Sequence, residues 1–100
     1  MGMTLGLDLD CRAAHVASLA GPDGNLVWRG RKFFSRTVDL ERLWADIDCD
    51  PGELTVVMEP TRNAWIPVAA WFRRGGVKVV MSLPRIWQRA NAACRIPASY

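Results

Sequence analysis

The stretch "LTVVME" at residues 54–59 constrains the fold more than any other part of the chain. It is a continuous apolar run rich in β-branched residues, with the turn-forming "DCDPGE" before it and Pro60 after it. Such a run predicts a central strand buried on both faces. It closes on Glu59, a carboxylate whose burial is costly unless something positive meets it. A fold for this chain has to supply a sheet around that strand and an environment for the acid at its C-terminal end.

The segments on either side supply the sheet. "MTLGLDLD" alternates with period two, setting Met3, Leu5, Leu7 and Leu9 on one face and Gly6, Asp8 and Asp10 on the other. "AAHVASLA" reads as a second strand, "GPDGN" as a turn, and "LVWRGRKFF" as a third strand, together an antiparallel meander. Thr37 is placed to cap a helix whose apolar residues Leu40, Leu43, Trp44 and Ile47 share one face. After the "LTVVME" strand, a helix beginning near Asn63 buries Trp65, Val68, Ala69 and Phe72 and ends at "RRGG". Pro67 fits only in or beside its first turn. "VKVVM" is a fifth strand, and Ser82 and Pro84 open a last helix, "RIWQRANAACR", stopped by Pro97. The order β-β-β-α-β-α-β-α predicts one α/β domain over residues 1–100: a mixed sheet with helices packed on its faces.

Composition narrows the class of protein. Half of the residues are hydrophobic and 23% are charged, which suits a globular domain and not a disordered chain. No apolar run approaches the ~20 residues of a membrane helix, so no membrane association is expected. "MGMTLGLDLD" has neither the basic start of a secretory signal nor the Ser or Thr of a myristoylation site. The odd, scattered set Cys11, Cys49 and Cys94 suggests reduced thiols and a cytoplasmic setting. Five tryptophans are expected mostly in the core. Residues 1–59 hold six Lys/Arg against ten Asp/Glu, a net of −4, whereas residues 60–100 hold seven Lys/Arg and no acid, a net of +7. That asymmetry suits a phosphate-bearing partner or, equally, a solvated basic face.

Candidate chemistry gathers on two acids. Asp8 lies in the first strand, and Glu59 at the C-terminal end of the buried one, where open α/β sheets place their ligands. On neighbouring strands, ~4.8 Å apart, the two carboxylates converge, and a cation such as Mg²⁺ relieves their repulsion. The competing reading makes Asp8 a strand cap and pairs Glu59 with Arg62. Asp10 is read as an exposed strand-end acid or a supporting group. Cys11 and His15 sit ~13 Å apart if extended, too far to share a zinc ion. Arg85 and Arg89 stand one helical turn apart on the last helix, with Trp87 between them and Arg95 beyond, either as phosphate contacts or as an exposed amphipathic face.

With "LGLDLD", "GPDGNLV" and "VVMEPTRNAWIPVAAWFRRGGVKVVMSLPR" in place, the chain from Met3 to Arg95 resembles the N-terminal part of the DEDD-type transposases of insertion sequences (insertion-sequence family 110). These are relatives in fold of the Holliday-junction resolvase RuvC and of ribonuclease H. The resemblance implies a ribonuclease H-like sheet and a magnesium-dependent enzyme of DNA transposition and recombination. Asp8 and Glu59 match the first two acids of the tetrad that holds Mg²⁺ against DNA. It also implies DNA and a structured guide RNA as partners, and a homo-oligomer in the full-length protein. Arg62, Arg85 and Arg89 are the candidate nucleic-acid contacts.

Two residues depart from the family pattern. Arg62 stands where glycine usually follows Glu-Pro-Thr, and Cys11 stands where lysine is frequent. The closing aspartate pair and the C-terminal serine-nucleophile domain are expected beyond the last helix, but Glu59 is the last side-chain carboxylate. The resemblance therefore implies a truncated fragment, inactive alone. Two further readings stay open. One is an ATP-binding domain of the actin and sugar-kinase type, although that fold needs a glycine-rich turn after Asp8, and "DLDCRAAH" has none. The other is a non-enzymatic remnant that folds and self-associates.

Overall fold

The protein is described from a computed structural model, which covers residues 2–60 and 62–81. Five strands and two helices follow one another as β1 (Met3–Asp8), β2 (His15–Ala20), β3 (Leu26–Phe33), α1 (Thr37–Ile47), β4 (Leu54–Met58), α2 (Trp65–Arg74) and β5 (Lys78–Met81). A single turn of 3-10 helix at Pro51–Glu53 leads into β4. The expected last helix, with Arg85 and Arg89, lies outside the described residues.

The strands form one mixed sheet in the order β3-β2-β1-β4-β5. β1 runs antiparallel to β2 and parallel to β4, and β5 extends the parallel half. The period-two pattern of the first strand translates directly into burial. Leu5 and Leu7 of β1, Ala17 and Leu19 of β2, and Leu54, Val56 and Met58 of β4 all enter one core. Leu40, Leu43 and Ile47 of α1 and Val68, Ala69 and Phe72 of α2 close that core from above. Burying each such Leu, Val or Phe contributes about 1.5–3 kcal/mol.

α1 and α2 lie side by side, since Trp44 of α1 and Trp71 of α2 line one groove. Both described helices therefore cover the same face of the sheet. β4 is correspondingly not buried equally on its two sides: Leu54, Val56 and Met58 are buried, whereas Thr55 and Val57 are half-buried. A continuous apolar run could not reveal that difference. The tryptophans differ from expectation for a related reason. Trp28, Trp44, Trp65 and Trp71 are partly buried and pack against the margins of the core, where a large ring covers apolar surface without filling the centre.

The helix starts also differ from the sequence pattern. Arg36, not Thr37, is the N-cap of α1, and its side chain makes no cap hydrogen bond. The start is secured by Asp39 in the first turn, whose Oδ2 accepts the Phe34 N–H at 2.8 Å. α2 begins at Trp65, two residues after Asn63, so Pro67 is its third residue and its missing N–H costs no helical hydrogen bond. At its other end Gly75 caps the helix, and Gly76 takes φ +87°, a turn that a β-carbon would strain.

Candidate functional site

The parallel register of β1 and β4 decides where the two acids stand. Met3 pairs with Leu54 and Leu7 with Met58. One step further along each strand come Asp8 and Glu59. Because Leu7 points into the core, Asp8, the last residue of β1, belongs to the opposite face, and Glu59 is the first residue past the end of β4. Asp8 is exposed, Glu59 is half-buried, and the Oε2 oxygen of Glu59 is buried. The sequence-predicted pair thus stands at the C-terminal ends of two neighbouring central strands, Asp8 as the last residue of β1 and Glu59 just after β4.

Asp10, Cys11 and His15 have other work. The Asp10 Oδ1 accepts the backbone N–H groups of Arg12, at 2.7 Å, and Ala13, at 3.0 Å. These hydrogen bonds hold its carboxyl below the usual carboxylate range. Asp10 is therefore the residue that folds the β1–β2 turn, an Asx-type turn. His15, 5% exposed, points into the core and is bonded at both ring nitrogens. Nδ1 accepts the Asp10 N–H at 3.0 Å, which leaves the proton on Nε2 to be donated to Ser35 Oγ at 2.8 Å. Burial lowers its pKa, partly opposed by the charge of Asp10, so the neutral ring is favoured. With both nitrogens engaged, His15 acts as a structural histidine, and Cys11 is exposed in the turn beside it.

Glu59 leads into the connection to α2. There the exposed Arg62 takes φ +49°, in the left-handed region where a side chain is strained by about 1–2 kcal/mol. A non-glycine residue held in that conformation marks a segment whose path is set by its surroundings.

Hard oxygen donors of the Asp8–Glu59 kind suit Mg²⁺, which is held by one or two carboxylates with water and substrate phosphate completing the shell. No cluster of three or more Asp, Glu, His or Cys side chains suited to a metal occurs among the described residues. The pair is at most part of a coordination shell.

The halves of the charge sum hid a second cluster. Residues 28–36, "WRGRKFFSR", carry Arg29, Arg31, Lys32 and Arg36 with no acid between them. They form the edge strand β3 and the turn into α1. The signal was present in the sequence but averaged away, because the flanking acids Asp23, Asp39 and Glu41 fall in the same half.

No described helix is long and apolar enough to cross a membrane. Comparison of the chain with models of known protein families, and with curated proteins, gives no significant match.

Proposed function

We propose that this chain is a ribonuclease H-like domain of the DEDD transposase type, binding nucleic acid and a magnesium ion through Asp8 and Glu59. The observation that carries the reading is the register of β1 on β4, in which Leu7 pairs with Met58, so that each acid comes one residue after a paired position. The sheet order β3-β2-β1-β4-β5, with an antiparallel meander feeding two parallel crossovers, supports the same reading. So does the left-handed backbone at Arg62, where the resembling family carries glycine.

Asp8 and Glu59 would hold the ion. When bound, Mg²⁺ supplies Lewis-acid charge stabilisation to a phosphoryl group. The protein's own contribution is to fix two oxygen donors on rigid neighbouring strands, with Glu59 partly withdrawn from water. Two carboxylates leave most of the shell to water and phosphate, so binding of the free ion is expected to be weak. The proposed setting is cytoplasmic, with DNA and a structured guide RNA as partners and a homo-oligomer for the full-length protein. Arg62 flanks the acids as a phosphate contact; Arg85 and Arg89 are proposed in the same role from sequence.

The ATP-binding reading meets a physical obstacle. A phosphate cradle presents backbone N–H groups to the ligand. In the turn after Asp8, the N–H groups of Arg12 and Ala13 are already bound by Asp10.

The test is calorimetric titration with Mg²⁺, or with Mn²⁺ for a stronger signal. Wild type should bind weakly, and Asp8→Asn and Glu59→Gln should each abolish binding while leaving the thermal midpoint nearly unchanged. Equal affinity in wild type and both variants would remove the metal site and, with it, the reading.

A further inference from the structure

The edge of the sheet farthest from β5 has the composition of a single-strand nucleic-acid surface. β3 is the edge strand, and Arg29, Arg31 and Lys32 on it are exposed, as are Phe34 and Arg36 in the turn that follows. Two of the cations lie over aromatic rings, Arg31 on the α1 side of the strand. The Arg31 guanidinium lies 4.6 Å from the centroid of Trp28, and that of Arg36 lies 5.2 Å from Phe34. Phe34 is 46% exposed, an unusual position for a phenylalanine unless its ring meets something.

Acids are present but local. Asp46 of α1 bonds Arg31, and Asp39 lies 3.5 Å from Arg36 and 4.0 Å from Arg42. Both acids orient cations along the α1 side. Arg29 and Lys32 add charge that these pairs do not offset.

The strand register links this edge to the acids. Lys32 pairs with Val16, and Val16 pairs with Asp8. Lys32, Val16 and Asp8 therefore stand in one row across the sheet, on the face away from the core, and Glu59 follows directly on the end of β4, the strand beside Asp8. At ~4.8 Å per strand, Lys32 is ~10 Å from Asp8. A bulge beside it, where Gly30 takes φ +77°, twists the edge strand locally.

We propose that Trp28–Arg36 is a docking surface for single-stranded nucleic acid, which leads the strand along the Lys32 row to Asp8 and Glu59. Phosphates meet Arg29, Lys32 and Arg36, while a base stacks on Phe34. Several cations beside the exposed Phe34 ring suit this ligand because every base has a face to stack and every nucleotide a phosphate to neutralise. An acidic peptide added to the β3 edge would use the charge but leave the exposed Phe34 ring without a role. The inference rests on the nucleic-acid part of the functional reading and not on its metal part.

The test is fluorescence anisotropy with a labelled 15-nucleotide oligo(dT), without Mg²⁺, from low to moderate salt. The double variant Arg29→Ala/Lys32→Ala should weaken binding about tenfold and flatten the logarithmic salt slope by ~1.4, the loss of two phosphate contacts. Phe34→Ala should weaken it about fivefold or more, and Arg29→Lys/Lys32→Arg should restore it. Wild-type affinity in the alanine variants would overturn the proposal, as would loss of binding only in Arg85→Ala/Arg89→Ala. Displacement of the probe by oligoglutamate as readily as by unlabelled oligo(dT) would also overturn it and assign the edge to an acidic peptide. The two readings separate cleanly. If Mg²⁺ fails to bind but the β3 variants lose oligo(dT), only the metal site falls; if Mg²⁺ binds and the β3 variants keep oligo(dT), only the docking surface falls.

Discussion

Two connections leave the same end of the sheet, one after β1 and one after β4, and they are built on opposite principles. The β1–β2 turn satisfies itself. Asp10 binds two backbone N–H groups ahead of it, and its own N–H is received by His15 at the start of the next strand. The β4–α2 connection is made of different parts. It carries a partly buried carboxylate, a left-handed arginine, and a helix whose N-cap, Ala64, offers no side-chain hydrogen bond. The first connection is shaped by its own sequence, whereas the second holds Arg62 in a conformation that an L side chain does not favour. Strain of the second kind collects where a fold serves a ligand, and the proposed metal site lies beside it.

The largest expected effect comes from breaking the self-satisfied turn. His15→Ala removes a buried ring, its edge contact with Phe33 at 5.1 Å, and the acceptor for the Asp10 N–H. A loss of about 2–4 kcal/mol is expected in denaturant unfolding. A loss confined to a few tenths would show that the turn holds without its histidine.

Acid should probe the same turn. Because burial lowers the His15 pKa below its ordinary 6.5, the unfolded chain takes up the proton first. The contribution of the neutral ring is complete above that unfolded value and is lost as pH falls from it toward the lowered folded value. The thermal midpoint should therefore start to fall as pH drops through the ordinary 6.5 and go on falling toward the lowered folded value, and His15→Gln should flatten that slope. Asp10, whose pKa is also lowered, acts in a separate window: its contribution holds above the ordinary carboxylate value of 3.8 and is lost as pH falls through the lowered one. A midpoint insensitive to pH across the histidine window would contradict the buried neutral tautomer.

The smallest effect, opposite in sign, belongs to the strained connection. Arg62→Gly should stabilise the fold by about 0.5–1 kcal/mol, the relief of left-handed strain less the added freedom of the unfolded chain. It should also weaken nucleic-acid binding if Arg62 contacts phosphate. Destabilisation by this substitution would mean that the arginine side chain, not the backbone, holds the segment.

Much of the fold was legible because its signals are local. The alternation of Leu5, Leu7 and Leu9 states which face of β1 is buried, and "RRGG" states where α2 stops. α1 starts at Thr37, but its N-cap is Arg36 rather than the Thr37 that the pattern predicts, because a cap depends on backbone geometry, and the first-turn Asp39 takes over by reaching back to Phe34. The histidine's role was not legible at all. Its partners Asp10 and Ser35 lie on opposite sides of it in sequence and meet only when β2 pairs with both neighbours.

The acids show the same division. Residue type and period two are enough to place Asp8 on the face away from the core and Glu59 at the end of a buried strand. Whether they stand level depends on strand order and register, which arise from long-range pairing of segments some fifty residues apart, Leu7 with Met58. One residue of slip would turn either carboxylate to the other face, because side chains alternate along a strand. Local pattern therefore chose the elements and their buried sides, and the packing of the sheet chose which of their polar residues became neighbours.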